Sequence, residues 1–562
     1  MNRTLSTLII ILAASFPASE GSAVPIRTVA FTGHPAPGTE PGTTFGVSLA
    51  DPVINNAGQV AFRGFVAGDS VIVAGPENVV GNSLGVWSEG SGELRLVARE
   101  GSSAPGADAV FYRNAFNNLR INDAGQVVIG AVLFGESVGS FQDTGVWAEV
   151  DGAGNGLTLI AQERTTPAPG TPAGTLFHSP GPNLGVINGT GRVSVTATLD
   201  GPGLDTTNNA GIWSQDASGN LQLRMRTGQQ APDLDPDVVF IDRGIPVFND
   251  AQDFVFRAQV NGPGITDAND HGIWIATSEG LALVAREGDP APGTTAGETF
   301  GGFLSNPSLS INNAGQTAFN ATLTGATGTT DRGVWSNASG ELALVARKGD
   351  AAPGTGGAFS NLFDPRINGA GHAAFVAQST AGNGIWQETD AGLALVAIQG
   401  MQAPGLAEGI RFGSFVHVLD GPTQFILNGN DQLAFVAPLD MFGSSPFGSV
   451  TAANNTVLYA TIDGELTLVA RKGDLFEVAP GDARTIFGVF LSAGSGNEDS
   501  IQSSFNERGQ LAFRLSFTDG SQGIFVLNTV VPEPSSITIV SLTALILCLG
   551  RPHNPRWLAS RR

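Results

Sequence analysis

The stretch Asn312-Asn313-Ala314-Gly315-Gln316-Thr317-Ala318-Phe319 decides how this chain is read, because versions of it return eight times. Copies begin at Asn55, Asn122, Asn188, Asn249, Asn312, Asn368, Asn428 and Asn506, at intervals of 56 to 78 residues. Asn is present every time. Gly stands three residues on in six copies, and Gln252 and Asp431 replace it in the other two. Self-similarity at such a period marks a repeat architecture and overrides a domain count taken from length. An Asn that opens a turn accepts a hydrogen bond from a backbone N–H two residues on, and Gly at the fourth position takes positive φ without steric cost. Together they predict a type I turn closed by a Gly bulge, a common hairpin connection. Replacing that Gly costs on the order of 1 kcal/mol, and Gln tolerates the left-handed conformation less well than Asp. The fourth copy, with Gln252, is therefore expected to deviate most.

Each turn leads into an apolar run such as Ala318-Phe319, read as a strand leaving the hairpin. A Gly-Val/Ile-Trp strand follows in six copies, from Gly85-Val86-Trp87 to Gly384-Ile385-Trp386, and Tyr459 and Phe525 take the aromatic position in the last two. A second apolar strand, typified by Leu281-Ala282-Leu283-Val284-Ala285, comes next, and Arg286-Glu287-Gly288-Asp289-Pro290-Ala291-Pro292-Gly293 carries the chain into the following unit. Four strands in roughly sixty residues is the pattern of a β-propeller blade. The strands alternate little, as expected of sheets covered on both faces, so the Trp reads as filler between blades ahead of a sugar-stacking platform. The two ends complement each other. Pro25-Ile26-Arg27-Thr28-Val29-Ala30 matches a fourth strand with no Trp strand before it, and Gly523-Ile524-Phe525-Val526-Leu527 matches a third strand with no fourth after it. Pairing them removes the open edges of an unclosed array. The reading is all-β: one closed eight-bladed propeller over residues 24–529, four antiparallel strands per blade, preferred to an open β-solenoid or two smaller propellers.

Composition agrees. Charged residues are 14% of the chain while Gly (76) and Pro (32) are plentiful, as in many short strands joined by turns. A net charge of −22 with 28 Lys and Arg argues against a nucleic-acid partner, because phosphates are held by clustered cations. The single cysteine, Cys548, leaves no intrachain disulfide and no thiolate metal site in the body of the protein.

Both ends carry addresses. Met1-Asn2-Arg3 is a basic start, residues 5–16 (LSTLIIILAASF) form a short apolar run, and Gly21 and Ala23 offer a small-residue exit. Residues 1–23 thus read as a secretory signal peptide. At the other end, Pro532-Glu533-Pro534-Ser535-Ser536 precedes an apolar run over 537–550 and the arginines Arg551, Arg556, Arg561 and Arg562. The order fits a short membrane segment with a cytoplasmic basic tail. Residues 530–562 resemble the PEP-CTERM sorting signal of Gram-negative bacteria that secrete extracellular polysaccharide, although here the arginines are spread along the tail. The resemblance implies passage through the inner membrane, an exosortase-type processing enzyme as partner, and a final place at the cell surface or outside the cell. The repeat itself resembles a bacterial family named for its NxxGxxAF tandem motif, whose members carry varied C-terminal anchors; that likeness implies no activity and no site residues.

In a four-stranded blade the first-to-second and third-to-fourth connections share one face of the disc. Here they are short and regular. The remaining connections, of very different lengths, share the other face, and variable loops on a rigid scaffold are where binding usually resides. A second candidate is the channel mouth, where Asp51, Asn118, Asn183, Asn306 and Asp364 each precede the repeat Asn by a few residues. Such a ring of amides and carboxylates could accept a cation or sugar hydroxyls, against the plainer reading of strand-entry turns before Pro. Loops such as Leu199-Asp200-Gly201-Pro202-Gly203-Leu204-Asp205 could hold Ca²⁺ but do not follow EF-hand spacing; no other cofactor is expected. His34, His178, His271, His372 and His417 fall at unrelated places in their repeats, which implies no shared metal site. No catalytic motif stands out, and Asp289, Asp350 and Asp474 read as turn formers on separate blades. The expectation is an exported binding or scaffold protein, more in keeping with a non-enzyme, that engages extracellular polysaccharide. The alternative is a carbohydrate-active enzyme, a glycosidase or lyase with paired acids at the channel mouth.

Overall fold

The computed structural model describes residues 26–528 except 74–80, 113–115, 137, 140–142, 180–184, 304–308, 364, 418–420, 423–424, 442–449 and 493–502. The readings on residues 1–23 and 530–562 lie outside the described residues. Among those described, no helix is long and apolar enough to cross a membrane.

Eight antiparallel blades form the ring. In the fifth, Thr317–Thr324 pairs on one side with both Thr299–Phe303 and Leu309–Ile311, and on the other with Arg332–Ser336, which in turn pairs with Ala343–Arg347. The inner strand is thus broken into two halves that share one continuous partner. The first blade repeats this, with Thr44–Leu49 and Val53–Ile54 both against Val60–Ala67. The eighth blade is built from both ends of the chain. Ile26–Phe31 pairs with Gln522–Asn528, Ile26 opposite Leu527 and Phe31 opposite Gly523, in the sheet that also holds Gln510–Phe517 and Asp482–Phe490. The N-terminal strand is the outer strand of that blade, as the orphan strands predict.

The repeat turn forms as expected and does more. Gly315, at φ 74°, donates its N–H to Asn312 O at 3.0 Å, and Asn312 Oδ1 accepts from the N–H groups of Ala314 and Gln316 at 3.1 and 3.0 Å. The other half of the amide faces outward from the turn: Nδ2 donates to Gln316 Oε1 and to the Asn368 carbonyl of the next blade, both at 2.7 Å. Every hydrogen-bonding position of this fully buried side chain is filled. The same link runs from Asn55 to Asn122 O, Asn122 to Asn188 O, Asn249 to Asn312 O, Asn368 to Asn428 O, Asn428 to Asn506 O, and from Asn506 back to Asn55 O, at 2.8 to 3.1 Å. Asn188 reaches one residue further, to Asp250 O at 2.8 Å. Eight amides therefore clasp the eight blades in a closed circle.

The fourth copy keeps its turn, contrary to expectation. Gln252 takes φ 63° and donates its N–H to Asn249 O at 3.0 Å. The third blade holds it there: Gln252 Nε2 meets Ser194 Oγ at 3.3 Å and Arg224 Nη1 donates to its carbonyl at 3.4 Å. In the seventh copy Asp431, at φ 60°, accepts from Asn368 Nδ2 at 2.8 Å and faces His372 Nδ1 at 2.9 Å. His372 occupies the place that Gln316 has in its own turn.

Hydrophobic clusters lie between blades. One joins Val247, Val255 and Ile273 of the fourth blade to Phe300, Phe319 and Trp335 of the fifth. All six strand tryptophans are fully buried, which fits filler and excludes an exposed stacking platform at these positions. Each contributes up to about 4–6 kcal/mol of apolar burial. Trp335 meets Phe300 edge-on with ring centroids 5.0 Å apart, and its Nε1 donates to Pro292 O at 3.0 Å. Pro37, Pro105, Pro169, Pro232 and Pro353 accept in the same way from the other five, and Pro404 from Tyr459. The Gly two residues before the Trp has a reason too in five of the six blades. The indole folds back over it, and a Cβ at Gly333 would stand 2.7 Å from Trp335 Cη2.

Candidate functional site

Of the five residues expected at the channel mouth, Asn183, Asn306 and Asp364 lie outside the described residues. Asp51 sits in the break of the first blade's inner strand, where Oδ1 accepts from Arg514 Nε of the eighth blade at 2.8 Å. Arg514 lies over the Phe490 ring, 3.9 Å from its centroid. With Arg63, Leu119 and Ser492, Asp51 and Arg514 line a recess of about 220 Å³. Burial holds the Arg63 guanidinium below its usual range, with Asp51 acting the other way, and its Nη1 donates to Phe116 O of the second blade. Asn118, at φ 50°, donates from Nδ2 to Gly185 O of the third blade. Both described members of the predicted set are thus engaged in links between neighbouring blades. Arg257 extends the pattern, donating to Phe303 O of the fifth blade at 3.2 Å.

A different polar group stands on the face of the variable connections. His271 opens the third strand of the fourth blade, and Glu287 follows the outer strand, its N–H donating to His271 O at 2.9 Å. His271 Nδ1 lies 2.9 Å from Asp270 Oδ1 and 3.6 Å from Glu287 Oε2. One ligand atom from each of the three lies within 4.8 Å of the others. Gln259 Nε2 donates to the remaining oxygen, Asp270 Oδ2, at 2.7 Å. Burial works against the charged form of Asp270, but hydrogen bonds from Gln259 and His271 outweigh it and hold the carboxyl below its ordinary value. Glu287 is pushed up, by burial first, with the His271 charge opposing and Asp270 adding to the rise. The three side chains remain 14%, 26% and 10% exposed for Asp270, His271 and Glu287, so the cluster is reachable from solvent. These are the described residues best arranged to hold a cation.

Reading His271 alone hid this group, because its partners are one residue before it and sixteen after. The signal was in the repeat alignment. The position of Glu287 is Glu163 in the second blade and Lys348 in the fifth, each donating its N–H to the residue that opens the third strand. Glu163 is likewise raised by burial, and accepts from Thr144 Oγ1 at 2.9 Å.

The description "Family of unknown function (DUF7453)" matches residues 17–243 and again 235–538. The chain belongs to this family. No curated protein matches the sequence. Among solved structures the chain is similar to the Pyrococcus horikoshii acylaminoacyl peptidase, at 9% identity and TM-score 0.35, over 75% of this chain and 52% of that one. Prolyl oligopeptidase B from Galerina marginata matches at 9% and 0.35, over 84% and 55%. An α-L-arabinofuranosidase from Fusarium graminearum matches at 8% and 0.25, over 58% and 89%. The chain thus spans about half the length of the two peptidases.

Proposed function

We propose that this protein is an exported binding or scaffold module, held at the cell surface or released from it, that engages extracellular polysaccharide through the face of variable connections. The observation that carries the reading is the division of labour in the ring. Regular turns and their amide clasps occupy one face, while the connections that differ from blade to blade gather on the other, where loops on a rigid frame are free to specialise. The PEP-CTERM-like tail at Pro532, Glu533 and Pro534 supports delivery by an exosortase-type enzyme, and the NxxGxxAF-like repeat agrees with a surface role. Polysaccharide as ligand follows from the company that tail keeps. The test is a glycan-binding screen of the purified chain with simultaneous detection of released products. Retention on exopolysaccharide without product is the expected result. No retention, with or without Ca²⁺, overturns the reading, and product formation replaces it with a carbohydrate-active enzyme.

A further inference from the structure

The fourth blade departs from its neighbour where Asp270, His271 and Glu287 meet. In the fifth blade the corresponding positions form a neutral pair, with Lys348 Nζ 2.8 Å from Asp331 Oδ1. In the fourth, Glu287 stands in the place of Lys348, so two carboxylates converge on one imidazole. The nearest arginine in sequence, Arg286, is turned to another task and donates from Nε to Asn269 O at 2.8 Å. A cation is supplied by the chain in one blade and is wanting in the other.

We propose that Asp270, His271 and Glu287 bind one late first-row divalent cation of the Zn²⁺ kind. Ligands held about 2.0–2.2 Å from a common ion stand roughly 3–3.5 Å from one another. The separations of 2.9 and 3.6 Å from His271 Nδ1 to the two carboxylate oxygens bracket that spacing, and all three ligand atoms lie within 4.8 Å of one another, so an ion draws the carboxylates in around the imidazole. It takes the place of the proton shared by His271 Nδ1 and Asp270 Oδ1. One imidazole nitrogen with two carboxylates suits Zn²⁺ and its neighbours, whereas Ca²⁺ takes an all-oxygen shell of six to eight ligands. Gln259 supplies the outer support, fixing Asp270 through Oδ2 and leaving Oδ1 for the ion. Three protein ligands leave a fourth position for water or an incoming donor on the variable face. The inference stands apart from the polysaccharide reading.

Chelator-treated full chain is titrated with ZnCl₂ by calorimetry, and bound metal is counted by mass spectrometry. Wild type is expected to take up one Zn²⁺ that H271A and E287Q each bind at least about tenfold more weakly, with Q259L weakened by about tenfold through loss of the outer hydrogen bond. D331N, at the corresponding position of the fifth blade, leaves binding unchanged. E287Q is nearly isosteric, so it remains informative if H271A fails to fold by circular dichroism. Co²⁺ loaded in place of Zn²⁺ reports directly on the imidazole, through a visible band that H271A removes. Absence of uptake by wild type, uptake unaltered in both H271A and E287Q, or preference for Ca²⁺ over Zn²⁺ overturns the proposal.

Discussion

Replacing Asn312 by Asp separates two roles that one side chain carries. Asp opens turns as well as Asn does, so a residue serving the turn alone would tolerate the change. The structure predicts otherwise. N312D keeps the oxygen that accepts from Ala314 and Gln316 but sets a second oxygen against Gln316 Oε1 and Asn368 O, where Nδ2 now donates at 2.7 Å to each. Gln316 cannot flip its amide freely, because its Nε2 donates to Ala338 O at 2.8 Å. The new carboxyl escapes only by taking up a proton, which costs about 4 kcal/mol at pH 7 from an ordinary aspartate pKa. One acceptor still stays unpaired, for about 1 kcal/mol more. The folded-state pKa of the introduced group is raised, so the variant's stability is whole below about pH 4 and is lost as pH rises through the folded pKa. Equilibrium denaturation followed by tryptophan fluorescence should therefore show a deficit of about 4–5 kcal/mol at pH 7 that shrinks to about 1 kcal/mol near pH 4. N312A, which loses the amide without adding charge, should show about 3 kcal/mol with no such slope. An N312D deficit below about 1 kcal/mol at pH 7, or one that is flat with pH, would refute the clasp.

Two further outcomes are expected. G333A places a methyl 2.7 Å from Trp335 Cη2 and 2.9 Å from Leu344 Cδ1, and should cost about 1–3 kcal/mol in the same denaturation assay. Burial raises the Glu388 carboxyl, ahead of the lowering effects of the Ala373 N–H and His372, so what the group contributes is whole below its unfolded pKa and is lost as pH rises. E388Q, which retains an acceptor for Ala373, should gain on wild type at pH 7 and draw level near pH 4 in thermal denaturation.

Architecture was legible because it is written eight times. The Asn-x-x-Gly spacing gave the hairpin, the Gly-x-Trp strand gave the third position, and the orphan strands at Ile26 and Gln522 gave closure. What was missed lies across blades, where sequence spacing does not report distance. Asn312 and Asn368 are 56 residues apart yet share a hydrogen bond. Gln252 looked like a misfit because its support, Ser194, belongs to another repeat. For the same reason the repeat around Asp51 did not reveal its partner Arg514, which lies 463 positions away. The recurring Ala-Pro stretch was visible in the sequence, but not that its proline carbonyl accepts from the tryptophan of the same blade.

A ring of near-equivalent blades offers its own standard for reading departures from the pattern. Most departures here are answered by a neighbour: Asp431 replaces a turn glycine and His372 a glutamine, and the two face each other at 2.9 Å across a blade boundary. Arg63, Arg257 and Arg514 occupy one position of the second strand in three blades, and each reaches the broken inner strand of the next. Such substitutions belong to assembly. Glu287 is of another kind, because it stands where Lys348 supplies a cation and, with Asp270, brings two carboxylates to one imidazole. Selection for stability alone favours the neutral pair, since like charges at close range oppose folding. A blade that keeps the unfavourable arrangement, on the face of the variable connections, is where a bound partner most economically accounts for the residues.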